Sequence, residues 1–130
     1  ELIHYQDEYQ PKADKFSVGE SSNFIMLPMQ IAALDQLLAW GQEDIQAYTH
    51  QISQKAITAL RAKGCFIETD SHRAKHLFGV YLADHMQMEV IKERFRESGI
   101  SVGIRGKAIR VAPHVYNTEA DFDKFLACFD

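Results

Sequence analysis

Ile109-Arg110-Val111-Ala112-Pro113-His114-Val115-Tyr116-Asn117-Thr118-Glu119 is the stretch that decides how this chain is read. A short apolar run carrying one arginine stops at a proline, and Tyr-Asn-Thr then leads into an acidic, phenylalanine-rich segment. Side chains alternate in direction along a strand, so over residues 108–112 Ile109 and Val111 take one face and Arg110 the other. The apolar pair is expected to meet a core, which leaves the arginine on the open face. A guanidinium presents paired, parallel donors that match the two oxygens of a carboxylate, so Arg110 is a candidate carboxylate-binding residue. Alternation alone equally allows an arginine that is solvated or paired with a nearby acid. Downstream, Thr118 reads as a helix cap with Asp121 as its acidic partner, and Phe122, Phe125, Leu126 and Phe129 point inward. Asn117 suits the turn, and Tyr116 is expected to pack its ring while bonding its hydroxyl.

Working back from that motif, residues 100–105 and 108–112 form a hairpin across Gly106-Lys107. Residues 86–98 read as a helix with Met88, Ile91 and Phe95 on one side and Gly99 at its stop. Residues 76–83 are apolar on both faces, as in a central strand. Residues 65–69 are a further strand by propensity, with a polar turn over 70–75. A longer helix is expected over 43–63, burying Ile45, Tyr48, Ile52, Ala56, Ala59 and Leu60. Glu43 and Asp44 suit its positive end, Arg61 and Lys63 its negative end, and Gly64 its cap. Over 23–40, Leu27, Ile31, Leu34 and Leu38 recur at helical spacing. Pro28 falls in the first turn and Gly41 at the end. Residues 1–22 lack sustained periodicity and read as an extended lead-in lying against another domain. The domain proper is then 23–130, an α+β fold in which helices cover one face of an antiparallel sheet of about four strands.

Of the 130 residues 46% are hydrophobic and 25% charged, which places the chain with single soluble globular domains. Its net charge is −4 with no block of basic residues, which argues against a nucleic-acid partner. Cys65 and Cys128 do not make a disulfide framework and read as core thiols of a reducing compartment. No apolar run reaches the length of a membrane span, so no membrane partner is expected and the default location is cytoplasmic. His72 and His76 are four residues apart, but in a turn that spacing has no metal-binding geometry, and no metal site is read. No Ser/His/Asp or Cys/His arrangement can be assembled, so no catalytic residue is assigned to this chain.

The arginine motif closely resembles the C-terminal end of class V aminotransferase-fold enzymes, the pyridoxal-phosphate family that includes cysteine desulfurase and isopenicillin epimerase types. Phe16-Ser17-Val18-Gly19-Glu20-Ser21-Ser22-Asn23-Phe24 resembles that family's glycine turn, and the segments 27–41 and 45–64 its next two helices. Gly99-Ile100-Ser101-Val102 resembles the strand before the arginine hairpin, so the resemblance spans residues 15–129. It implies the small C-terminal domain of a fold-type I enzyme, with Arg110 gripping the α-carboxylate of an amino-acid substrate. Arg105, beside the hairpin turn, is a further candidate for the same cleft or else a surface residue, and His114 is either a cleft residue or a loop histidine. The implied cofactor, pyridoxal 5′-phosphate, acts as an electron sink. The implied whole protein is a homodimer.

In that family a hydroxyl residue after the matching glycine holds the cofactor phosphate of the partner subunit. Here Glu20 takes that place, and Ser21 and Ser22 either substitute for the hydroxyl or serve only as a helix cap. Lysines stand at 12, 15, 55, 63, 75, 92, 107 and 124, none in the family's Schiff-base motif, so the catalytic lysine lies outside this chain. The two-residue connection Gly106-Lys107, without a cysteine, argues against desulfuration. The competing reading is a free-standing, non-catalytic α+β module that binds a small carboxylate or a protein partner.

Overall fold

A computed structural model describes residues 8–16 and 24–130. Two compact units divide the chain, residues 1–39 and residues 40–130. In the first, Lys12–Phe16 forms a short 3-10 turn where an extended lead-in is expected, and helix α1, Met26–Trp40, begins. Pro28 lies in the first turn of α1, and Gly41, at φ 81°, separates it from the next helix. The helical spacing of Leu27, Ile31, Leu34 and Leu38 is realised, but all four side chains are at least half exposed. Ser21 and Ser22 lie outside the described residues.

The second unit carries the fold. Helix α2, Gln42–Ala62, is followed by strand β1, Phe78–Tyr81, helix α3, Met88–Glu97, strands β2, Gly103–Arg105, and β3, Ala108–Val111, and helix α4, Glu119–Ala127. The sheet is antiparallel in the order β1-β3-β2, which puts the arginine strand in the centre. Val80 faces Ile109 and Phe78 faces Val111 across the β1–β3 ladder, and Ile104 faces Ile109 across β2–β3. Val80 and Ile109 are fully buried. Helices supply the other side of this layer: Ile52, Ile57 and Leu60 from α2, Ile91 and Phe95 from α3, Phe122 and Phe125 from α4. Phe95 stacks on Phe125 at 5.4 Å, and Phe129 sets its edge against both, at 5.7 Å and 5.1 Å. Such pairs add stabilisation beyond their burial.

The sequence signals for the ends of elements hold. Gly64 and Gly99, with φ of 89° and 66°, follow the C-caps of α2 and α3, where a left-handed residue lets backbone N–H groups return to orphan carbonyls. Gly106, at φ 57°, turns the β2–β3 hairpin. Among the described residues, however, the sheet has three strands where about four are expected. Residues 65–69 form only one bridge, between Phe66 and Tyr81. Arg61 explains the difference: its guanidinium takes the carbonyls of Ile67 at 3.2 Å and Glu68 at 2.6 Å. Those acceptors are withdrawn from any ladder, and Thr69 is already in a turn with His72. The expected strand over 76–83 shortens to its four central residues.

On α2, Thr49 and Ser53 are buried although polar. Their hydroxyls donate back along the helix to the carbonyls of Ile45 at 2.9 Å and Thr49 at 2.8 Å, so burial leaves no orphan donor. Both cysteines are free and buried. Two ion pairs link these parts of the chain, Lys55 of α2 to Asp123 of α4 at 2.7 Å and Lys63 to Asp130, just beyond the ends of the two helices, at 2.6 Å.

Ile109 sits where both ladders and the helical layer meet, so it is the test of this packing. Ile109→Ala should lower unfolding stability by about 2–5 kcal/mol, the usual cost of truncating a buried isoleucine. A urea titration of the chain checks this; a loss under about 1 kcal/mol would mean that the site collapses or is not closed.

Candidate functional site

Beyond the Gly103–Arg110 pair, β2 and β3 part. Ala112-Pro113 leaves the sheet, since proline has no N–H for a ladder bond and holds its predecessor extended. Residues 98–102 run separately, and the space between the two chains is a crevice of about 520 Å³. Val111, Phe122 and Phe125 give it apolar walls, and Arg110, Ser101, Asn117 and Lys124 are among its polar ones. Arg110 is exposed, as strand alternation predicts, and its side chain makes no hydrogen bond or ion pair with another described residue. The reading in which it pairs with a nearby acid is thereby overturned for the described residues.

The loop that closes the far side of the crevice is held by Asn117. Its side-chain oxygen accepts the His114 N–H at 3.0 Å and its own N–H donates to the His114 carbonyl at 2.9 Å, which closes a tight turn. From α2, the Tyr48 hydroxyl donates to the Asn117 carbonyl at 2.8 Å across 69 residues of sequence. Tyr48, expected as part of a buried face, is instead a partly exposed latch whose polar end fixes the turn. Tyr116, expected to pack and bond, is 77% exposed; its ring lies on His114 at 5.5 Å, and the hydroxyl at work here is that of Tyr48.

Thr118 and Asp121 start α4 as their spacing predicts. One carboxylate oxygen of Asp121 accepts the Thr118 backbone N–H at 2.9 Å and its hydroxyl at 3.2 Å. Arg105 shares the open face of the sheet with Arg110, but its Nη1 donates to the carbonyl of Ile104 at 3.0 Å and it does not line the crevice. His114 is half buried between Trp40 and Tyr116, at the edge of the crevice and outside its lining. Lys124 and Ser101, which the sequence does not single out, do line it.

Charge is unevenly placed. Lys55, Lys63, Arg73, Lys92 and Arg96 all have carboxylate partners. Arg105, Lys107 and Arg110, the three cations of the β2–β3 hairpin, have none among the described residues. A chain with net charge −4 thus carries a locally positive hairpin. His72 bonds Thr69 and Ser71 within its own turn, and among the described residues no group of three or more His, Cys, Asp or Glu side chains could hold a metal ion. No described helix is long and apolar enough to cross a membrane.

Among solved structures, alanine–glyoxylate aminotransferase from Nostoc sp. matches with a TM-score of 0.57 over 75% of this chain, at 16% sequence identity. No family model matches, and no curated protein matches. This chain covers 28% of the length of the Nostoc structure. At that identity the likeness is one of fold: this small α+β domain resembles part of an aminotransferase.

The Thr118 backbone N–H, with the Thr118 hydroxyl, the Asn117 amide and Lys124 assisting, holds the Asp121 carboxyl below the usual carboxylate range. A folded-state value lower than the unfolded one stabilises the fold fully above about pH 4 and loses that contribution as pH falls through the folded value. Asp121→Asn should therefore flatten the acid limb of stability, read from urea midpoints between about pH 2 and pH 6. An unchanged acid limb would mean that the cap contributes nothing measurable.

Proposed function

We propose that this chain is the small, C-terminal domain of a pyridoxal-phosphate enzyme resembling the class V aminotransferases, in which Arg110 binds the carboxylate of an amino-acid substrate. One observation carries the reading: Arg110 is an unpaired arginine on the open face of the central strand, beside a crevice, in a fold shared with part of an aminotransferase. Lys55, Lys63, Arg73, Lys92 and Arg96 have carboxylates of their own, whereas Arg110 has none among the described residues. An arginine left without one, on a hairpin with two further cations that lack carboxylate partners, is suited to an acid supplied by a ligand. Two parallel N–H bonds fix both the position and the plane of a carboxylate, which orients the carbon attached to it.

The described residues fit the substrate's end of such a site and not the cofactor's. At the start of α4 beside the crevice the Asp121 carboxylate sits on the Thr118 N–H and repels an anion, so this helix end does not suit a phosphate. No step through the cofactor is therefore assigned to these residues. The lysine that would hold it belongs to a large domain outside this chain. In the whole protein we place this domain in a cytoplasmic homodimer, with Ser21 and Ser22 as the candidate phosphate contacts.

In that whole enzyme Arg110→Lys should reduce kcat/KM for amino acids roughly thirty-fold to several thousand-fold, equivalent to about 2–5 kcal/mol. Lysine retains the charge and loses the fork, so cofactor loading should scarcely change. Amines without a carboxylate should lose little. Equal losses for amino acids and simple amines, or none for either, would remove Arg110 from the site. The 130-residue chain alone should show no turnover; stoichiometric borohydride trapping of the cofactor on one of its lysines, with activity, would refute the division of roles.

A further inference from the structure

Arg110 has a glycine opposite it on each side: Gly79 on β1 and Gly103 on β2. Neither has the positive φ that reserves a position for glycine, and glycine weakens a strand by about 0.5–1 kcal/mol relative to alanine. Backbone geometry therefore does not explain either one. The space above them separates the two. A Cβ built on Gly79 would make ordinary contacts with Tyr81 at 3.7 Å and Ala108 at 3.8 Å, with no atom of Arg110 within 4 Å. A Cβ on Gly103 would stand 3.2 Å from Nε of Arg110, 3.4 Å from Nη2 and 3.6 Å from Cζ. The guanidinium thus leans toward β2 and lies close over the bare backbone of Gly103.

We infer that Gly103 is a positioning residue: by presenting no side chain it sets the height and tilt of the Arg110 fork, and so the line along which a ligand carboxylate is received. The inference rests on the carboxylate reading of Arg110. A methyl group at 103 cannot share that space with Nε unless one of them moves. The long arginine side chain gives way more readily than the paired backbone, so the fork is displaced while the sheet stays intact. Hydrogen bonds to a carboxylate weaken steeply with angle, and a bidentate pair suffers twice from one tilt. Gly103 belongs to the arginine's seat as well as to the hairpin.

Gly79→Ala is the matched control, since it makes the same chemical change opposite the same arginine without touching it. In the whole enzyme Gly103→Ala should raise KM for amino-acid substrates about tenfold, with amines lacking a carboxylate unaffected, whereas Gly79→Ala should leave both within about twofold. In the 130-residue chain without any ligand, the Nε–Hε signal of Arg110 in a nitrogen-15 correlation spectrum should move in Gly103→Ala and stay in Gly79→Ala. In an Arg110→Lys background Gly103→Ala should add little.

The thermal midpoint of Gly103→Ala should equal or exceed that of the wild type. A fall that persists when Arg110 is also replaced by alanine would assign Gly103 to the fold and overturn the inference. Equal behaviour of the two glycine variants, or additive losses with Arg110→Lys, would overturn it too. If Arg110→Lys is harmless toward amino acids, the carboxylate reading fails by itself, and the Arg110 signal still decides whether Gly103 seats the guanidinium.

Discussion

Pairing of β3 on both edges is the constraint from which the rest of this unit follows. Ile109 meets Val80 on one side and Ile104 on the other, and both Ile109 and Val80 are fully buried. A strand's side chains have a period of two, so a one-residue slip would exchange its faces. It would carry Arg110 into the helical layer, where an unpaired guanidinium costs several kcal/mol, and turn Ile109 to water. The apolar pair therefore does more than fill the core. By fixing register it fixes which face the arginine occupies, and with that which two residues stand opposite it.

The crevice is a consequence of where that pairing stops. Pro113 ends β3, and the chain is then handed to α4 by a turn whose bonds come from two directions: Asn117 within the turn and Tyr48 from α2. Asp121 takes the N–H of Thr118 at the entry to the helix. These bonds hold the far wall of the crevice, and its one carboxylate, Asp121, is engaged by Thr118 and forms no ion pair with Arg110. The same residues that make the motif recognisable in sequence are structural here, and they shape the space that the arginine borders.

Signals that act over a few residues were legible in the sequence. Helical stripes gave α2, α3 and α4, glycines marked the caps and the hairpin, and alternation put Arg110 on the open face. Residues 65–69 show the limit of such reading. Phe66 and Ile67 favour a strand, but the carbonyls that a strand would offer are taken by Arg61, and propensity does not register a side-chain competitor. Tyr48 was misplaced for a related reason: helical spacing put it with the apolar residues, while its partner lies 69 residues away. Gly103 is harder still. It looks like an ordinary hairpin glycine until the register sets it against Arg110.

Charge and geometry have separate parts at this hairpin. Arg105, Lys107 and Arg110 together attract an anion from several ångströms away, an effect that salt screens over about 8 Å at physiological ionic strength. Attraction of that kind is indifferent to the shape of the anion. Arg110 alone of the three borders the crevice, and it alone lies over a residue that leaves its fork undisturbed. Loss of Arg105 or Lys107 removes attraction, which added salt also removes. Loss of the fork, or of the bare backbone beneath it, removes orientation, which salt leaves untouched. On the proposed carboxylate role of Arg110, the hairpin can lose much of its charge and still discriminate a carboxylate, but it cannot exchange arginine for lysine and do so.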